Sequence, residues 1–352
     1  MTIDKPSEHF NTVLYTGNGV DGRTITGVGF NPDMSWVKSR SNAKAHIVAD
    51  SVRGANKNIV PNETGAEFNP TTDVGSGGIG QVTTDGFTCE QGTSDLTNVN
   101  QSAYTYASWN WLGGGTAVSN TDGSITSSVS ANTTAGFSIV SYTGNSTSGA
   151  TVGHGLGVVP DVIICKQTGG ANDWMSYHSV LGNTKSMRLN ATSASATATT
   201  YWNDTSPTST VFSLGSDTKA NASDSLIAYC FSEIKNYSKF GKYTGNGNAD
   251  GTFVYTGFKP AMIIRKSSTY DGTDWRIDDN KRPGYNFIPY TLFPNTNGSE
   301  ATSSGYYVDF LSNGFKCRGT SANQNTSGQT YIYMAFAENP FVTSTGIPAT
   351  AR

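Results

Sequence analysis

Charge is scarce in this chain. Only 14% of its 352 residues are Asp, Glu, Lys or Arg, and the formal net charge is −3. No basic stripe interrupts that neutrality, so a nucleic-acid partner is not expected. Histidine is limited to His9, His46, His154 and His178. They form neither an HxH nor an HExxH spacing, so no metal centre is expected. The four cysteines, Cys89, Cys165, Cys230 and Cys317, include no CxxC pair, which argues against a zinc ribbon or a dithiol redox motif. Each reads as a small buried hydrophobe. No apolar run approaches the roughly 20 residues that span a bilayer. The opening "MTIDKPSEHF" lacks the basic and apolar regions of a signal peptide. A soluble chain made in the cytoplasm, without membrane insertion, is the expectation.

Glycine, hydroxyl residues, Asn and aromatics fill the gap, with 40 Gly, 17 Tyr and 16 Phe. Strand and turn formers therefore outweigh helix formers. One sentence recurs three times: "YTGNGVDGRTITGVGFNP" from Tyr15, "YTGNSTSGATVGHGLGVVP" from Tyr142 and "YTGNGNADGTFVYTGFKP" from Tyr243. A proline-led strand follows each time, "PDMSWVK", "PDVIICK" and "PAMIIRK", and lysine stands six positions after the proline in all three. Proline suits the first residue of a strand because the ladder does not yet need its N–H. A Trp-bearing segment comes next, "NDWMSYH" and "TDWRIDD", replaced in the first copy by "KAHIVAD". "SVRGANK" and "SVLGNTK" then match at Ser51 and Ser179.

Each copy closes on a last strand, "YTYASWNW", "LIAYCFSE" or "YIYMAFAE". The interval between the first two copies is longer by a Gly/Ser/Thr-rich stretch, Gly113 to Gly136, that reads as a flexible or meandering linker. A unit of about 100 residues with short strands fits a small sandwich or jelly roll. The expected fold is all-β, three tandem β-sandwich (jelly-roll or lectin-like) modules from an internal repeat, making one long neutral body. The divisions are an N-terminal arm at 1–11, modules at 12–112, 136–238 and 239–341, a linker at 113–135 and a tail at 342–352. A three-unit propeller is the weaker alternative.

Chemistry needs a constellation, and the sequence offers few. The acidic run Asp271, Asp274, Asp278 and Asp279 lacks the EF-hand spacing and reads first as a solvated loop, then as a calcium loop or a glycosidase pair. The glycine turns lack GxxxxGK[ST], so they are not phosphate loops. No catalytic residue, cofactor or metal is expected, and the chain is read as a non-enzyme. Tryptophans beside Asn or Asp could stack on sugars. Trp202, Trp174 and Trp275, with Asp173 and Asp274, are the candidate carbohydrate or receptor residues, against the plainer reading that the repeated Trp174 and Trp275 fill cores. Aligning the closing strands sets Trp109 against Phe231 and Phe336, and Trp111 against Glu233 and Glu338. Trp109 is then core, and Trp111 a candidate interface residue between units or subunits.

Several of these stretches, "YTGNG", "GFKPAMIIRKS", "LIAYCFSE", "YSKFGKYTGNGNADGTFVYTGF", "FLSNGFKCRGTSANQNTSGQTYIYMAFAENPF" and the terminal "ATAR", resemble a family of tailed-phage, largely marine, virion and tail proteins with lectin-like, concanavalin-type sandwich repeats. The resemblance runs from about Phe10 to Arg352 and carries over no binding or catalytic residue set. It implies a structural virion component assembled in the host cytoplasm. The expected role is a tail fibre or adhesin that contacts the host surface and its glycans. A capsid decoration or head-fibre protein is the alternative, and a polysaccharide depolymerase a weaker one. Expected partners are other virion proteins, with self-association into a homo-oligomer. Without heptads or a shaft, a compact tip, collar or decoration unit is expected, docked through one of its terminal arms.

Overall fold

A computed structural model of the chain describes residues 3–73, 75–93 and 97–349. The fold is all-β. Helix is confined to single turns such as Thr199–Trp202 and Thr218–Asn221. Among the described residues no helix is long and apolar enough to cross a membrane.

One antiparallel strand order occurs in three consecutive stretches of chain. The first sheet runs Phe10–Thr16, Thr105–Trp111, Met34–Ser39, Ile47–Asp50. The second runs Phe137–Thr143, Ser225–Phe231, Val162–Gln167, Met175–His178, and the third Ser238–Thr244, Thr330–Pro340, Phe258–Ser267, Arg276–Asp279. Each carries a smaller sheet on its outer face. Arg23–Ile25, Gly86–Glu90 and Gly78–Thr83 cover the first, Ala150–Gly153 and Val211–Leu214 the second, and Phe253–Tyr255, Gly314–Cys317 and Val308–Leu311 the third. Alternation along each strand sends one set of side chains outward and the next inward. Leu226, Ala228 and Cys230 enter an outer core, whereas Ile227, Tyr229 and Phe231 face the centre.

The inner faces of all three sheets meet in one common core. Met34, Val162 and Met262 lie there, with Trp36, Ile164 and Ile264 beside them. The three stretches are therefore not a row of separate sandwiches, and the expectation of one long body is corrected. They close a ring. Lys38 Nζ of the first donates to Asn297 O of the third at 3.3 Å. Lys166 Nζ of the second donates to Thr64 O of the first, and Lys266 Nζ of the third to Thr192 O of the second, both at 3.1 Å. Two residues after each lysine, the carbonyls of Arg40, Thr168 and Ser268 accept from the N–H groups of Glu300, Glu67 and Ser195. A contact that repeats head to tail and closes after three steps makes a ring, here within a single chain.

The YTGN sentence also has a physical reading. Tyr15, Tyr142 and Tyr243 donate their hydroxyls to the carbonyls of Val99, Ala220 and Gln324. The next residues, Asn100, Asn221 and Asn325, are buried and accept through Oδ1 from the N–H of Asn18, Asn145 and Asn246. Glycine is required between because a Cβ on Gly17 would lie 2.1 Å from Gln101 O. The motif locks the end of each first strand to the loop before the last strand.

Two boundaries differ from expectation. The stretch 113–135 is not a free linker. Val118–Asn120 and Ser127–Asn132 add to the edge of the second sheet, because Ile125 and Val129 bury in its outer core. The arms lie on their own body. Ile3 is buried in the central core, and Ser344 donates through both N–H and Oγ to Asp4. Met1, Thr2 and 350–352 lie outside the described residues.

Candidate functional site

The candidate sugar-stacking tryptophans offer no ring to solvent. Trp174, Trp202 and Trp275 are 1%, 1% and 4% exposed. Trp202 packs edge-on to Tyr177 in the second outer core and donates to Lys185 O at 3.2 Å. Trp174 and Trp275 instead stitch the ring. Trp174 Nε1 donates to Val60 O at 3.0 Å, and Trp275 Nε1 to Arg188 O at 2.9 Å, each reaching into the preceding stretch. His46 stands at the same position in the first stretch. Trp36 Nε1 can only donate and gives its proton to His46 Nδ1 at 2.9 Å. His46 Nε2 therefore carries the ring proton and donates to Phe293 O at 3.0 Å. Burial keeps this imidazole neutral, with its pKa well below the ordinary value.

Asp173 and Asp274 serve the same joint. Asp173 accepts from Asn190, whose Oδ1 caps Trp174 N–H, and Asp274 accepts from Asn295, whose Oδ1 caps Trp275 N–H. Asn62 caps His46 in the first stretch. The sugar-stacking reading of the three tryptophans is corrected: the rings and N–H groups of Trp174 and Trp275 are used where neighbouring stretches join, and those of Trp202 inside the second outer core. Trp275→Phe is expected to lower stability by about 1–2 kcal/mol through the lost hydrogen bond, read by urea unfolding, and to leave surface binding unchanged. Full stability together with lost glycan binding would restore the sugar reading.

Trp111 is 2% exposed and sits where the three sheets meet. The pairing register sets Phe10, Phe137 and Ser238 opposite Trp111, Phe231 and Phe336. Trp111 is thus equivalent to Phe231 and Phe336, not to Glu233 and Glu338, and the alignment read from sequence was two residues out of register. Its ring lies 6.4 Å from Phe231 and 5.6 Å from Phe336. The interface it covers is internal.

The acidic run is divided between surface and interior. Asp278 and Asp279 are fully buried, which corrects the solvated-loop reading. Asp278 bonds Arg265 at 2.9 Å and Arg276 at 2.8 Å. Asp279 bonds Arg282 at 2.7 Å and accepts from Trp109 Nε1 of the first stretch. Sequence reading missed Arg265 and Arg276 because their counterparts are apolar, Val37 and Ile47 in the first stretch, Cys165 and Met175 in the second. All four cysteines are buried free thiols, and burial pushes Cys89 and Cys165 up to about 12.

The three ring lysines are desolvated too. Burial pushes Lys38 down to about 7, and Lys166 and Lys266 down to about 8. Unfolded lysine titrates near about 10.4, so above pH 7 the unfolded chain binds more protons and stability rises with pH. Unfolded cysteine ionises near about 8.5 while the buried thiols do not, which opposes the rise beyond that point. Urea unfolding is expected to show greater stability at pH 8.5 than at pH 7, with the gain reduced in Lys38→Met. A flat or falling profile over that interval contradicts the desolvated lysines.

Among the described residues the surface carries a hollow of about 320 Å³ beside Lys235, Asn236, Tyr255 and Thr343, and two of about 170 Å³. In the second stretch one of the smaller two lies over Asp173, Arg188 and Lys219, whose charges are paired as Asp173–Arg188 and Lys219–Asp217. The other, in the third stretch, is lined by Lys259, Asn280, Lys281, Tyr285, Asn286 and Glu338. Tyr285 is 74% exposed. Lys259 pairs with Glu338 at 2.7 Å, and Asn280 Oδ1 is buried without a partner. Among the described residues no group of three or more His, Cys, Asp or Glu is placed to hold a metal ion.

A family model described as Domain of unknown function (DUF7483) matches residues 5–340. No curated protein and no solved structure matches the chain.

Proposed function

The chain belongs to this DUF7483 family, whose function is unknown, and we propose, from the ring geometry and the sequence resemblance, that it is a non-enzymatic structural component of a tailed-phage virion, a tail-fibre or adhesin-type part that docks on other virion proteins and contacts the host surface. One observation carries the reading. The motifs that recur in all three stretches, the YTGN turn, the lysine and the Trp or His joint, are used to close a ring around one core. What is left for contact is a rigid body bearing loops that differ from stretch to stretch. Such a body suits a role in touching and positioning, and the sequence resemblance to virion proteins supplies the setting.

The test is the place and copy number of the protein in purified particles, by immunogold labelling and quantitative mass spectrometry. A few to a few dozen copies at the tail are expected. Hundreds of copies on the head would move the assignment to capsid decoration, which the same ring could serve. Absence from particles would end the virion reading.

A further inference from the structure

The hollow at Tyr285 lies where the third stretch departs from a pattern the other two keep. In the first stretch Ser51 Oγ donates to Asp33 Oδ1 at 2.7 Å. In the second, Ser179 Oγ donates to Asp161 Oδ1 at 3.0 Å. Both aspartates follow the strand-opening proline, and both serines open the loop after the fourth strand. The third stretch has Ala261 in place of the aspartate and Asn280 in place of the serine. Asn280 N–H still bonds Ala261 O, but its side-chain Oδ1 is left buried and unpartnered. A buried acceptor without a donor is costly unless a ligand or water supplies one.

The surroundings complete a recognisable set. The loop is fixed from below, since Asp279 Oδ1 accepts from the N–H groups of Lys281 and Arg282 while Oδ2 holds the Arg282 guanidinium. Asn286 is pinned to Phe310 through both its N and O atoms. On this rigid loop Tyr285 stands out into solvent, with the exposed Lys281 nearby. Lys259 and Glu338 neutralise each other, so Lys281 gives the hollow a net positive charge. At about 170 Å³ the hollow is smaller than the roughly 300 Å³ at which pockets for drug-sized ligands begin. That volume suits a single ring.

We propose that this hollow binds a single carboxylated sugar unit of a surface glycan: the phenol ring of Tyr285 stacks on the apolar face of the sugar, a rotation of the half-buried Asn280 side chain brings its unpartnered Oδ1 to a sugar hydroxyl, and the Lys281 ammonium meets the carboxylate. The assignment deepens the host-contact reading above and rests on it for the source of the sugar. The hollow in the second stretch carries no such assignment, because its charges are already paired.

The experiment is saturation-transfer NMR and calorimetry on the full chain with trigalacturonate, and with maltotriose as the neutral control. Millimolar binding of trigalacturonate is expected, with weaker binding of maltotriose. Tyr285→Ala removes an exposed ring and leaves the fold in place; it is expected to weaken binding by about tenfold or more. Lys281→Ala is expected to erase the preference for the acidic sugar. No binding of either sugar, or wild-type binding by Tyr285→Ala, overturns the site. These outcomes are separate from particle localisation: a protein found at the tail that binds neither sugar loses this site but keeps its virion role.

Discussion

Asp278→Asn is expected to destabilise the protein by about 3–5 kcal/mol, the cost of leaving buried charge without its partner. The carboxylate lies between Arg265 and Arg276, and all three side chains are fully buried. Two cations share one anion there. Burial and the nearby Arg265 push Arg276 down to about 10, despite the favourable pull of Asp278. For Asp278 burial acts upward, but the neighbouring arginines outweigh it and its pKa is lowered. A depressed carboxylate contributes fully above its unfolded value of about 3.9 and loses that contribution as pH falls through the lower folded value. The deficit of the variant is therefore largest at neutral pH and shrinks in acid. The chain also supplies its own repair. The first stretch places Val37, Ile47 and Ala49 where the third has Arg265, Arg276 and Asp278. A triple variant copying those residues removes all three charges together and is expected to recover most of the loss. Urea unfolding of the two variants checks both statements. A loss below about 1 kcal/mol for Asp278→Asn, outside the usual range for a broken buried pair, would mean the arginines are not desolvated.

Trp111→Ala is expected to cost about 3–5 kcal/mol, as large-to-small changes in packed cores do, while Trp111→Phe is expected to cost less than about 1.5 kcal/mol. The contrast follows from two facts. The ring is packed against Phe10 at 5.0 Å, as well as Phe231 and Phe336, so its removal opens a cavity where three sheets meet. Its indole N–H has no hydrogen-bond partner, so phenylalanine gives up no bond and matches the residue at the two equivalent positions. Equal losses for both variants would mean that the indole N–H contributes more than the packing.

The all-β class was legible in the sequence, because alternation, proline-led strands and Gly/Asn turns are local signals. The joints were not. The invariant lysine was visible, but its partners Asn297, Thr64 and Thr192 lie in other stretches, and nothing local identifies a partner so distant in the chain. The register of the closing strand slipped because "YTYASWNW" offers Tyr104 and Tyr106 as anchors. A slip of two residues preserves which face each side chain takes, so alternation could not detect it. Composition made 113–135 look like a linker, yet Ile125 and Val129 were enough to hold an edge strand. The Tyr285 hollow was readable in principle, since "PAM" breaks the "PD" of the other two copies. Its meaning depended on knowing that the residue after the proline faces Asn280.

The central claim is that three stretches share one core and close one ring, so that none folds by itself. Scanning calorimetry of the full chain, together with spectra of the isolated stretch 136–238, tests it most directly. The account predicts a single cooperative transition whose calorimetric and van't Hoff enthalpies agree, and an isolated stretch without native tertiary signals. Three resolved transitions, or an isolated stretch that folds and melts cooperatively, would contradict it.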